Sequence, residues 1–232
     1  VRWQLDPCPA LPTTPAVRNG RLFYQDAQAV VCLDSASGAQ LWRSPRFAPE
    51  KRPGWSAPTL VACDEVVLCA DRRDPPKDNT DEKTGRPIAR WLTDEGPPGE
   101  LVALSARTGE QLWSCLGAET YHAPVDVFVA DGLVWVGQSR SRTGPDLNEG
   151  RDLLTGEIKR RLVTDEAFDT TMPHHRCHRN RATERYLVTG RTGVEFIDVR
   201  SGECEANHWT RGVCQYGVLP CNGLLYVPPH SC

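Results

Sequence analysis

The segment Thr171–Arg185, TMPHHRCHRNRATER, holds three of the chain's six histidines, together with Cys177 and four arginines. Neutral imidazole and thiolate are ligands for zinc, copper or iron, so His174, His175, Cys177 and His178 are candidate metal ligands, with Cys232 a further one. The arginines point to different chemistry, because guanidinium forks receive carboxylates and phosphates. Arg176 and Arg179 are the candidates here, joined by Arg211 and His230 from the last stretch of the chain. On a strand, His174, Arg176 and His178 share one face, and His175 and Cys177 share the other. A cation between two histidines repels a metal. Metal ligation, anion binding and an ordinary hydrogen-bonded strand and loop therefore all stay open. No Gly-rich phosphate loop accompanies the cluster, and scattered Ser, His and Asp residues do not define a triad.

What must position these residues is a repeat. Val30–Trp42 reads VVCLDSASGAQLW and Leu101–Trp113 reads LVALSARTGEQLW, with worn copies at Asp152–Gly156 and Asp198–Gly202. The first motif residue is Asp34, Ser105, Asp152 and Asp198, giving spacings of 71, 47 and 46. The unit is therefore about 46 residues, and the second copy carries roughly 25 more. Those extra residues lie within Asp71–Gly99, which is charged and rich in Pro and Gly. This stretch reads as a surface loop inserted at 74–99.

Each unit reads as four short strands. Asn19-Gly20 is a hairpin signal, since a type I′ turn needs positive φ at both positions. RLFYQD and VVCLD are strands, SASG is a turn, and AQLW is the last strand. In the turns, Asp and Ser or Thr oxygens receive N–H groups, and Gly supplies a conformation that Cβ opposes. Trp42 and Trp113 end the last strand, where a large ring suits packing between units. The expectation is an all-β fold, a β-propeller of four-stranded antiparallel blades. Complete blades span Pro15–Ser44, Ala57–Cys115, Ala123–Leu162 and Pro173–Trp209. Partial blades are expected at Val1–Leu5 and Tyr216–Pro228. The chain therefore reads either as part of a larger ring, the favoured expectation, or as a small ring that closes by pairing its two ends. In both cases it is a single domain over residues 1–232. Matching Pro173 to Pro58 and Pro124 places His174–His178 on an innermost strand. Unpartnered polar groups are costly there.

The phrase in Ala103–Trp113 resembles the repeat of pyrroloquinoline-quinone-type propellers, which include quinoprotein alcohol dehydrogenases and outer-membrane-assembly propellers. The segments MPHHRC and VPPHSC also resemble those of planctomycete-type bacterial propeller proteins. The resemblance implies a periplasmic or otherwise extracytoplasmic location. A quinoprotein dehydrogenase would hold pyrroloquinoline quinone with Ca²⁺ and commonly pairs adjacent cysteines, and no Cys-Cys occurs here. The repeat is a packing device, so it leaves activity open.

Composition narrows the classes further. A net charge of −3 argues against a nucleic-acid surface. No apolar run reaches the length of a membrane span. The ten cysteines lack zinc-ribbon or haem-attachment spacing. Cys32, Cys63, Cys69 and Cys115 read as small strand residues, and others suit disulfides in an oxidising compartment. Three functions follow as alternatives. The chain is a binding or scaffold module for a small molecule or protein, a dehydrogenase fragment, or a metal-binding redox protein built on His174, Cys177 and His178.

Overall fold

A computed structural model describes residues 3–46, 48, 56–72, 83–84, 98–118, 123–137, 147–163, 178–190, 193–214 and 216–229. These residues form strands and turns, with no helix among them. The first sheet holds β1 (Ala16–Arg18), β2 (Arg21–Gln25), β3 (Ala29–Asp34) and β4 (Gln40–Pro45). The second holds β5 (Thr59–Cys63), β6 (Val66–Arg72), β7 (Pro98–Ser105) and β8 (Gln111–Ala118). The third consists of β9 (Asp126–Ala130), β10 (Leu133–Gly137), β11 (Glu149–Asp152) and β12 (Ile158–Arg161). In the fourth are β13 (Arg181–Ala182), β14 (Tyr186–Thr189), β15 (Val194–Asp198) and β16 (Cys204–Asn207). A fifth sheet has β17 (Leu219–Cys221) and β18 (Leu224–Tyr226). Every sheet runs in chain order, each strand antiparallel to the next.

Strand alternation gives each sheet two apolar faces, and neighbouring sheets bury them against each other. Phe23, Val30 and Cys32 of the first sheet pack on Val67, Cys69 and Leu104 of the second. The opposite face of the second, with Leu68 and Ala103, packs on Val134 and Val136 of the third. Trp135 then meets Leu187 and Ile197, and Val188 meets Val218. Neighbouring sheets meet through their first strands, β1 with β5, β5 with β9, β9 with β13 and β13 with β17. The sheets thus converge on these strands and place their fourth strands outside, as propeller blades do. Burial pushes the thiols of Cys32 and Cys69 up to about 11 and about 12, so both are neutral packing groups. Cys8, Cys32, Cys63, Cys69, Cys115, Cys204 and Cys221 are free thiols.

One contact recurs between blades, and it is made from within the fourth strand rather than from its expected end: Trp42 is the third residue of β4 and Trp113 the third of β8. The indole N–H of Trp42 donates to the Ala106 carbonyl of the next blade at 3.0 Å, and Trp113 donates to Leu153 at 3.0 Å. At the N-terminus Trp3 donates to Ser35 at 3.1 Å. Each acceptor directly follows the first residue of the repeat motif. The ring lies on the motif glycine, where a Cβ would stand 2.6 Å from the Trp3 ring at Gly38, 2.7 Å from Trp42 at Gly109 and 2.6 Å from Trp113 at Gly156. The turn is held open for the ring by its own side chain. Asp34 Oδ1 accepts the N–H groups of Ala36 and Ser37 at 3.1 and 2.7 Å, and Asp152 does the same for Leu154 and Thr155 at 2.9 and 2.8 Å. In the third interface Arg160 takes the tryptophan's place. Its Nη1 donates to the Val199 carbonyl at 2.9 Å, and Leu162 covers Gly202 instead of a ring.

The expected glycine turns lie where the repeat places them, each between the third and fourth strands of a blade. The first strand of the fourth blade does not. It is Arg181–Ala182, and His178 stands in a bend ahead of it rather than on the strand. Of the expected insertion at 74–99, Gly99 belongs to β7 and most of the rest lies outside the described residues.

A glycine comparison tests the seat of the ring. Gly20 and Gly109 have φ of +72° and +76°, but only Gly109 would drive a Cβ into a ring. Gly20→Ala should cost about 1–2 kcal/mol in urea unfolding, the backbone share alone. Gly109→Ala should cost about 1–3 kcal/mol more. Equal losses would mean that the Trp42 ring does not lie on the glycine.

Candidate functional site

The ladders fix which inner-strand positions are equivalent. Val17 pairs with Leu22, Ala62 with Val67, Val129 with Val134 and Ala182 with Leu187. Three residues before each lie Thr14, Thr59, Asp126 and Arg179. Four blades therefore bring a polar residue to the same level of the inner strands, where the strands of neighbouring blades meet.

Thr14 bonds to Leu11 and Gln25 of its own blade, and the other three bind across blades. Thr59 Oγ1 donates to the Val125 carbonyl of the third blade at 2.7 Å. Arg179 reaches from the fourth blade past the third, donating from Nη1 to Thr59 Oγ1 at 2.8 Å and to the Val125 carbonyl at 3.5 Å. Asp126, 1% exposed, accepts from Asn180 Nδ2 at 2.9 Å and from its backbone N–H at 3.4 Å. Thr13 Oγ1 donates to the Pro58 carbonyl at 3.2 Å, and Arg181 Nη2 to the Tyr216 carbonyl at 3.2 Å. Burial pushes the Asp126 carboxyl up to about 7 against the pull of Arg179, Asn180 and Arg181. The collar is a set of ties between sheets with one carboxyl poised near neutrality.

His178 is buried beside the collar. Its Nδ1 lies 3.0 Å from the Arg179 carbonyl, which only an N–H can satisfy, so Nδ1 carries the proton. The ring rests on two glycines. A Cβ at Gly217 would stand 2.7 Å from Nδ1, and one at Gly212 would stand 3.0 Å from Nε2. Gly217 holds the Arg179-equivalent position of the fifth blade, counted from Pro220 opposite Leu225. Arg211, next to Gly212, is half-buried, and its buried Nε has no hydrogen-bond partner among the described residues.

The residues nominated from sequence thus separate. His178, Arg179 and the Arg211–Gly212 segment come together. His174, His175, Arg176, Cys177, His230 and Cys232 lie outside the described residues. Among the described residues no three His, Cys, Asp or Glu side chains gather as a metal site would need. Thr59, Asp126 and Asn180 were missed by sequence reading. Counting back from the Tyr186 strand, rather than forward from Pro173, finds their level.

The sequence model of a protein family described as outer membrane protein assembly factor BamB matches residues 1–221. The chain belongs to that family. Among curated protein sequences none matches it. BamB from Moraxella catarrhalis is 16% identical, with 85% of this chain covering 51% of that one at a TM-score of 0.44. A europium-containing methanol dehydrogenase is 12% identical over 82% of this chain and 40% of its own, also at 0.44. The quinohemoprotein alcohol dehydrogenase of Comamonas testosteroni is 13% identical over 83% and 34%, at 0.44. The chain spans about half the length of the BamB structure. No described helix is long and apolar enough to cross a membrane.

Two measurements test the collar of this BamB-family chain. Thr59→Val removes the hydroxyl by which the second blade accepts from Arg179 and donates to the third blade, and should cost about 1–3 kcal/mol in denaturant unfolding. A neutral result would mean that the tie carries no stability. The second measurement uses pH. Folded Asp126 keeps its proton up to about pH 7, whereas the unfolded chain releases it near pH 4. The folded state therefore binds more protons between these values. The resulting stability is fully present below about pH 4 and is lost as pH rises through 7, at up to about 1.4 kcal/mol per unit. Asp126→Asn can accept the same Asn180 bonds and should flatten that slope, remaining at least as stable as the parent at pH 8. A variant that keeps the slope would remove Asp126 as its source.

Proposed function

We propose that the chain is a non-catalytic binding or scaffold segment of a propeller that works outside the cytoplasm. The observation that carries this reading is the use made of the inner collar. Thr59, Asp126, Arg179 and Asn180 spend their polar atoms on one another and on a carbonyl of a neighbouring blade. Side chains so engaged hold a surface in shape, and reaction at them would break the ties between blades. Membership in the BamB family supports the extracytoplasmic part and favours a protein partner over a small reactive substrate. Arg211 keeps an unfilled Nε among the described residues, and we retain it, with Arg176 and His230, as the proposed ligand contacts.

Reconstitution decides between this reading and a dehydrogenase. The purified protein is incubated with pyrroloquinoline quinone and Ca²⁺, desalted, and assayed for dye-linked alcohol oxidation. The expected result is neither stoichiometric quinone retention nor alcohol oxidation above the protein-free control. Retained quinone with turnover would replace the scaffold reading by the dehydrogenase one. In fractionated cells the protein should appear outside the cytoplasm, and an exclusively cytoplasmic pool would contradict the reading.

A further inference from the structure

The three seams between complete blades are closed by different physics. In the first and second an indole crosses to the next blade, Trp42 to Ala106 and Trp113 to Leu153, and its ring lies on the motif glycine. In the third, charge takes that place. Asp131, in the β9–β10 hairpin, accepts from Arg160 Nη1 of its own blade at 2.7 Å and from Arg200 Nε of the fourth blade at 2.9 Å. The first bond aims Arg160, whose Nη1 donates across the seam to the Val199 carbonyl at 2.9 Å. The second is itself an ion pair across the seam. A Cβ on the motif glycine here, Gly202, would meet Leu162 and the Val163 backbone at an ordinary 3.6–3.7 Å, with no ring upon it. The seam does hold an aromatic ring, but that ring stays at home. Trp135, 0% exposed, donates to the Ala130 carbonyl at 3.1 Å and rests on Gly150, both of its own blade. It meets Leu187 and Ile197 of the fourth blade through apolar packing.

We propose that the third seam is a hinge built into the stack, at which the fourth blade and the fifth sheet swing as one unit away from the first three blades as ionic strength rises. The side chains of the Asp131 cluster reach solvent, at 17% exposure for Asp131, 32% for Arg160 and 71% for Arg200. Ion pairs so exposed contribute little and weaken with salt, whereas a buried indole keeps its packing. The inner collar supplies the pivot, through Asn180 on Asp126 and Arg179 on the Val125 carbonyl. The moving part holds together on its far side. Val188 packs on Val218, Arg181 donates to the Tyr216 carbonyl, and the His178 ring rests on Gly212 and Gly217. Opening uncovers the apolar wall of Trp135, Leu187 and Ile197 while the first two seams stay shut. Asp131 is the control point, because one carboxylate serves both bridges. The hinge does not depend on the scaffold reading.

Each seam holds one buried tryptophan, Trp42, Trp113 or Trp135, so hydroxyl-radical footprinting of the full chain, read residue by residue by mass spectrometry, tests this. Trp42 and Trp113 are the references within each sample. Raising NaCl from about 0.01 M to about 1 M shortens the Debye length from roughly 30 Å to 3 Å. Over that range the Trp135 oxidation rate should rise at least about threefold against both references, the scale of one or two part-exposed ion pairs. Asp131 has φ of +48° to +50° in its hairpin, a conformation Asn also adopts, so Asp131→Asn keeps the turn and removes the charge. That variant should show the rise already at low salt and respond no further to salt. Arg200→Gln, at an exposed position, should shift Trp135 in the same direction, with circular dichroism verifying that both variants fold. A Trp135 rate that stays with the references in the parent at high salt, or in folded Asp131→Asn at low salt, would overturn the proposal. So would a rise shared equally by all three rings, which would mean general loosening in place of one hinge.

Discussion

Everything in this chain hangs on how one blade grips the next. A side chain on the fourth strand reaches across to the turn of the following blade, donates to the carbonyl after its first motif residue, and covers its glycine. Trp42 and Trp113 do this with an indole, and Trp3 does it at the N-terminal edge. The constraint works in both directions. The turn must leave a flat opening, which a glycine at positive φ and an Asp or Ser oxygen folding back on N–H groups provide. The fourth strand must carry a donor on a broad apolar body, as Trp42 and Trp113 provide. Sheets joined this way are spaced by a ring and meet at their first strands, which is why polar residues of separate blades come within hydrogen-bond reach.

The inner collar is the consequence. Thr59 and Arg179 are 120 residues apart in sequence, and Asp126 and Asn180 are 54 apart, yet all four join because they hold equivalent or adjacent levels of successive inner strands. Buried polar atoms are tolerated only with partners, and here the partners come from other blades. The collar is thus both a result of blade packing and a brace for it. Asp126 is its most sensitive member, since burial opposes its charge while two arginines favour it. His178 closes the far side of the arrangement, and Gly212 and Gly217 leave room for its ring.

How far the residues could be read in advance follows from the range of each interaction. Turns were legible because their chemistry is local, with Asp34, Ser37 and Gly38 meeting inside one loop. Trp42 and Trp113 were legible as packing groups because both copies of the motif keep them. Arg160 hid in plain view. It stands four residues after its motif glycine, as the tryptophans do, but in IKRR it reads as a surface charge until Val199 and Asp131 are seen to hold it. The first strand of the fourth blade was placed too early because prolines were aligned instead of hairpins. Its hairpin is as short as those of its sisters, but Pro173 lies six residues before Arg179, where Pro58 lies one before Thr59 and Pro124 two before Asp126, so only counting back from the hairpin finds the level. The collar partners were not legible at all, since nothing local in Thr59 or Asp126 signals a neighbour one or two blades away.

The claim that this fourth-strand grip organises the whole stack is tested most directly by amide hydrogen exchange on Trp42→Ala against the parent protein. If the grip sets the spacing of the sheets, protection should fall together in β2–β3 of the first blade and β5–β7 of the second. It should extend to the inner-strand amides beside Thr59, although these lie at the opposite edge of the sheet from the lost ring. Protection lost only around β4, with β5–β7 unchanged, would contradict the account and leave the ring as a local filler.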